Sequence, residues 1–324
     1  MKVGDAERDF RASLAISRKL NGDSHTVTLQ IEATLGAFLH ATSRRAEGRD
    51  LLEAAGGGLD NTPDIHGSNT GSLINTLRGR ILFDDGRFDM AETYIAQAVA
   101  DARDAYPQSS LLSNGLLEQG EIFTSTGRFA EATRDLNEAL QIRRRVGGSA
   151  KDAALVNPFL IVRARLSLAQ GDAPAAIEWA HQVRPPADAP RRPLLVDDLA
   201  ARIVLAQAYT TQGKTVDALR EAHTVVNTVL ASPLRDYVQP LEAAASMALA
   251  EALRRSGDGR AACPLLERAL QLRSAMEGPA SPRMAQTTRA ACWSICGVMR
   301  RGSRNRTARD QRDPGAADAR PRNP

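Results

Sequence analysis

The segment Ala208, Gly213, Lys214 and Thr215 fits the loose nucleotide-loop form Ala/Gly-x-x-x-x-Gly-Lys-Ser/Thr. Such a loop cradles phosphate with its amides at the N-terminus of a following helix, and it needs a strand before it. The residues before Ala208 instead carry a helical apolar period, so the match reads as a helical turn around Gly213. Cys292 and Cys296 stand four apart, as two thiolates sharing a metal on one helix face would. Two thiols need further ligands, and the histidine closest in sequence is His223. The five histidines (His25, His40, His66, His181, His223) show no H-E-x-x-H spacing. Asp84 and Asp85 end one predicted helix, and Asp197 and Asp198 precede another. Both pairs read as solvated partners of helix dipoles before acid–base pairs. Gly56, Gly57 and Gly58 read as a flexible joint between helical hairpins. No catalytic, cofactor-binding or metal-binding set is assigned.

These residues sit in a regular frame. A Gly or Ser recurs after an apolar, helix-length run at Ser43, Gly86, Gly127, Gly171, Gly213 and Gly257, every 41 to 44 residues. In the third copy Leu116, Gly120 and Phe123 lie at i, i+4 and i+7, on one helix face. Gly127 suits a left-handed helix end, and Phe129, Ala132, Leu136 and Ala139 return at helical spacing beyond it. A glycine inside a helix costs about 1 kcal/mol relative to Ala, so Gly120 implies close approach of the paired helix. Neither helix can bury its stripe alone; stacked hairpins can.

The third copy resembles the tetratricopeptide repeat. The first-helix small residue recurs as Gly36, Gly79, Gly120, Ala164, Ala206 and Ala250, and the second-helix Ala as Ala91, Ala132, Ala176, Ala218 and Ala262, with Gly48 departing from it. The long period, with its extra residues between hairpins, resembles the kinesin light-chain type. The resemblance covers residues 1–297 and implies an all-α, right-handed α-solenoid of antiparallel hairpins. Hairpins are expected over about 26–56, 71–103, 112–146, 156–184, 196–230 and 240–276, flanked by a half repeat over 1–20 and a lone helix over about 282–297.

Composition agrees with an all-α chain. The apolar fraction is 43% with only 4% aromatics, and the apolar residues are largely Ala and Leu. No stretch is long and apolar enough for a membrane span, which together with three clustered cysteines predicts a cytoplasmic location. The net charge of +4 is misleading, because residues 298–324 alone hold eight Arg and three Asp, leaving −1 for the rest. Nucleic-acid binding by the body therefore lacks an electrostatic basis and is left to the tail. The tail's Arg, Asp, Gly and Pro cannot build a core, which predicts a disordered segment. Ala6, Phe10 and Leu14 read as a second helix without its first, and the pattern stops in mid-hairpin near Gly297. The expectation is therefore a fragment of a longer protein, with 298–324 either a basic arm or sequence foreign to the repeats.

In the family resembled, first helices line a groove that takes a peptide or a partner helix. Carried over by position, that groove comprises His40, Arg80, Phe83, Asn114, Glu121, Arg165, Gln207, Glu251 and Arg254. The expected function is a non-catalytic scaffold for a protein or peptide partner. The alternative is the regulatory C-terminal part of a bacterial signalling enzyme such as a serine/threonine kinase, after whose catalytic domains such arrays occur.

Overall fold

The computed structural model describes residues 3–42, 44–146, 155–183, 196–277, 281 and 284–290. All regular structure among them is helical. Helix α1 (Val3–Asn21) is followed by six hairpins: α2 (Thr26–Ala41) with α3 (Arg45–Asp60), α4 (Asn69–Asp84) with α5 (Phe88–Ala105), and α6 (Ser110–Ser125) with α7 (Phe129–Val146). They continue as α8 (Asn157–Ala169) with α9 (Ala173–His181), α10 (Val196–Thr211) with α11 (Thr215–Leu230), and α12 (Gln239–Arg255) with α13 (Gly259–Met276). Residues 284–290 are helical as well. No helix among the described residues is long and apolar enough to cross a membrane.

The turns explain the period. Gly86, Gly127, Gly171, Gly213 and Gly257 have φ between 73° and 93°, the left-handed region in which a Cβ is strained. After each, an amide reaches back five residues, as from Arg128 N–H to the Phe123 carbonyl at 2.8 Å and from Lys214 N–H to that of Tyr209 at 2.9 Å. This bond satisfies a carbonyl that the helix end leaves over. The same bond closes the first hairpin, from Arg44 N–H to the Leu39 carbonyl at 3.0 Å; Ser43 itself lies outside the described residues. The following helix is capped in two hairpins by an aspartate, with Asp172 accepting from Ala175 N–H and Asp258 from Ala261 N–H, both at 3.0 Å.

Within hairpins the small residues set the spacing. Ala91, Ala132, Ala176, Ala218 and Ala262 are fully buried. In the first hairpin both contact positions are glycine, because a Cβ on Gly48 would lie 2.5 Å from the Gly36 carbonyl oxygen and 2.6 Å from the His40 nitrogen. The departure of Gly48 from the repeat pattern thus has a steric cause: here the two backbones nearly touch. The core is serial rather than central. One apolar cluster runs from Phe83 through Leu116, Leu136 and Phe159 to Leu166, and the next begins in α8 with Ile161 and Ala164 and ends in α10 at Ala208. Each hairpin is stabilised by its neighbours, as in other stacked repeats. The chain is an α-solenoid.

Candidate partner-binding groove

Each first helix packs on the first helix of the next hairpin, from α2 on α4 through α10 on α12, whereas consecutive second helices meet at most marginally. A stack whose first helices lie closer together than its second helices curves toward the first helices. They therefore form its inner face.

Across this face the residues one position beyond the small one make a ladder of alternating charge. Glu121 of α6 accepts from Arg80 of α4 at 2.9 Å and from Arg165 of α8 at 3.2 Å, and Arg80 also donates to Glu118 at 2.8 Å. Glu118 in particular holds the Arg80 guanidinium well above its ordinary pKa. Burial pushes the Glu118 carboxyl up, against the opposing pull of Arg80. The ladder continues into α2 through Asp84, which lies 3.8 Å from Arg80 Nε, 3.0 Å from His40 Nε2 and 3.4 Å from Arg45 Nη1. Asp84 is 4% exposed. The sequence reading of Asp84 as a solvated helix-end residue is thereby corrected. A carboxylate at the C-terminal end of a helix opposes the dipole, and it is tolerated here because three cations or donors converge on it.

The positions picked from sequence divide into three groups. His40, Arg80 and Glu121 belong to the ladder and are engaged within the protein, as is the exposed Arg165 through Glu121. Phe83 is 4% exposed and packs on Phe88 with ring centres 5.7 Å apart, so its side chain belongs to the core and not to the open face. Asn114, Gln207, Glu251 and Arg254 line open clefts. Asn114 stands with Leu73, Thr76, Leu111, Leu117 and Pro158 in a cleft of about 530 Å³ over α4, α6 and α8. Gln207, Glu251 and Arg254 stand with Leu168, Thr210 and Met247 in another of about 420 Å³ over α8, α10 and α12. There Arg254 is bonded to Glu251 at 2.6 Å.

Sequence reasoning missed Glu118, Arg45 and Asp84 as members of the ladder, and Leu111 and Pro158 in the first cleft. The ladder had a legible signal in part: Arg80, Glu121 and Arg165 share one register position in successive repeats.

His40 carries a pH prediction. Burial lowers its pKa from 6.5, outweighing the opposing bond to Asp84. The folded chain then binds fewer protons than the unfolded chain below about pH 6.5, so stability falls as the pH drops through that value. The midpoint of urea unfolding is expected to fall from pH 7 to pH 5.5 in the native chain, and by less in His40→Asn.

Gly56, Gly57 and Gly58, read from sequence as a flexible joint, lie inside α3, where Gly56 and Gly58 pack under Arg78 and Leu29. Around Gly213 the amides that would cradle a phosphate are already bonded, Gly213 N–H to Thr210 and Lys214 N–H to Tyr209. A helix, α10, precedes them. Asp197 and Asp198 lie in the first turn of α10, where the helix dipole favours them. Cys292, Cys296 and the Arg-rich segment 298–324 lie outside the described residues.

Family models described as tetratricopeptide repeat match residues 120–149, 158–182, 199–224 and 245–280. The chain thus contains tetratricopeptide repeats. A Rap protein, solved in complex with competence and sporulation factor, is similar in fold with a TM-score of 0.57 and 12% identity, over 92% of this chain and 87% of that one. Tetratricopeptide-like repeats of a kinesin light chain from Podosopora anserina are similar at 20% identity over 64% of this chain and 96% of that one, with a TM-score of 0.47. No curated protein matches the sequence.

Proposed function

We propose that the array is an interaction scaffold whose inner face holds an extended peptide or a helix of a partner protein. The observation that carries this reading is the apolar cleft around Asn114. Leu73, Leu111 and Leu117 line it from two successive first helices, beside an exposed amide, that of Asn114, with no bond to another described residue. An apolar floor with one free donor–acceptor group suits a ligand that offers apolar side chains and a main chain to bond. The Rap protein of similar fold was solved with competence and sporulation factor, which agrees with a ligand-holding role for such an array.

Because Arg80, Arg165 and their carboxylates satisfy one another, the grip of the cleft is expected to be mainly apolar, with a modest salt dependence from Arg143 and Asp197, which also line it. Selection of peptides from a random displayed library on the full chain tests this. Peptides that bind the native chain should lose about tenfold or more in affinity with Leu117→Arg or Asn114→Arg, each placing a charge in the cleft. They should keep their affinity with Val216→Arg, on an exposed position of α11. Equal binding to all three variants would place the partner surface elsewhere.

A further inference from the structure

A third cleft lies away from the inner face, between the second helices α7 and α9. It has a volume of about 380 Å³ and is lined by Asn137, Leu140, Gln141, Arg144, Arg145 and Trp179. It opens where α9 is short: α9 has 9 residues and α7 has 18. Its charge sets it apart. Most described arginines meet a carboxylate, as Arg103 meets Glu138 at 2.6 Å and Arg128 meets Glu92 at 2.6 Å. At this corner three do not. Arg144 and Arg145 are exposed and bonded to nothing among the described residues. Arg143 lines the Asn114 cleft instead and meets the Leu155 carbonyl and the Phe159 ring. Arg163, on α8, lies with its guanidinium 5.1 Å from the centre of the Trp179 ring, and its inaccessible Nε and Nη1 have no hydrogen-bond partner.

Arg143, Arg144 and Arg145 occupy the last turn of α7, where cations complement the helix dipole. That accounts for their place in sequence. It does not account for Arg163, which sits inside α8, is half-buried beside the same tryptophan, and has its pKa lowered by burial with no acid opposing the shift. A buried guanidinium costs free energy unless something compensates it, and a ring face compensates only part.

We propose that the α7–α9 cleft is a docking site for an acidic segment of a partner protein, which sets carboxylates against Arg144 and Arg145 and an apolar side chain against Leu140 and Trp179, the ring that Arg163 backs. Charge complementarity carries the choice of occupant: every charged group lining this cleft is a cation, two adjacent arginines with no carboxylate among the described residues, whereas the arginines of the inner-face ladder are matched by Glu118, Glu121 and Asp84. The site is separate from the inner face and does not rest on the reading of that face.

Fluorescence anisotropy with a labelled decapeptide of Glu and Leu, added to the full-length chain, tests the assignment. The Arg-rich tail also attracts acidic peptides, so the informative quantity is the difference between variants in the same full chain. The double variant Arg144→Glu, Arg145→Glu is expected to weaken the peptide about tenfold. Arg87→Glu and Arg260→Glu, at arginines without a carboxylate among the described residues elsewhere in the stack, should leave binding unchanged. Native circular dichroism in each variant shows that the stack is intact. Equal losses from Arg87→Glu and from the double variant would overturn the site in favour of general charge attraction. Displacement of the peptide by a short DNA duplex, lost in the double variant, would overturn the acidic-protein assignment in favour of a nucleic acid. Displacement by millimolar inorganic phosphate, lost in the same variant, would reduce the cleft to a simple anion site.

Discussion

Asp84→Ala is expected to remove about 3–5 kcal/mol from the stability of the N-terminal hairpins, the largest single-residue effect anticipated in the chain. The carboxylate is buried, and Arg45 beside it is only 6% exposed. Removing the acid leaves the Arg45 charge in a nearly dry site without the Asp84 carboxylate at 3.4 Å and strips His40 of its bond at 3.0 Å. Burying the ion pair in the first place yields far less than breaking it costs, because desolvation offsets much of the attraction. The double variant Asp84→Ala, Arg45→Met is therefore expected to be more stable than Asp84→Ala alone, which a double-mutant cycle measures directly. Stacked repeats open locally, so amide hydrogen exchange is the suitable readout, with faster exchange in α2, α3 and α4 and little change in α12 and α13. Uniformly faster exchange throughout the chain, or no change at α2, would contradict this account of the Asp84 cluster.

Gly48→Val should destabilise the first hairpin by about 3 kcal/mol, at the upper end of what overpacking usually costs. The added atoms meet main chain, the Gly36 oxygen at 2.5 Å and the His40 nitrogen at 2.6 Å from the Cβ position, so no rotamer change relieves them. Gly48→Ala sets two effects against each other. Alanine gains about 1 kcal/mol in helix propensity, but its Cβ occupies the same forbidden point, and the helices must separate along their whole contact. The clash is expected to win. Gly57→Ala reverses the sign: it is in the same helix, yet nothing lies within 4 Å of its Cβ position. That variant should stabilise by about 0.5–1 kcal/mol. Thermal melts of the three proteins decide the matter, and a Gly48→Ala chain as stable as the native one would show that α2 and α3 are not in the close contact described.

The contrast between Gly48 and Gly57 marks where local reasoning stops. Both are glycines inside α3, and no sequence pattern separates the one under a backbone from the one beside open space. The solenoid itself was legible, because its signals are short-range. A glycine able to take positive φ, an apolar residue three or four positions before it and an alanine five after it all act within a single hairpin, and five repetitions leave little else for the chain to form. The apparent phosphate loop at Gly213 could be dismissed for the same reason, since its neighbours already spelled a helix end.

The groove was legible only as a set of register positions. Asn114, Gln207, Glu251 and Arg254 do line open clefts, but Phe83, chosen by the same rule, is turned into the core beside Phe88. Which side of a helix is open depends on how far each hairpin rotates on the last, and that angle is set by packing between residues some 40 positions apart. The charge pairings follow the same logic. Arg80 and Glu121 are 41 residues apart, and His40 and Asp84 are 44 apart. By itself, then, the sequence determined that this chain is a stack of helical hairpins, with the place of each turn, because helix periodicity and turn chemistry are settled by neighbours along the chain. Only the tertiary structure decided which charges neutralise one another, which clefts stay open and which arginines are left without a carboxylate. Those outcomes depend on stacking geometry, to which every hairpin contributes and which no single hairpin encodes.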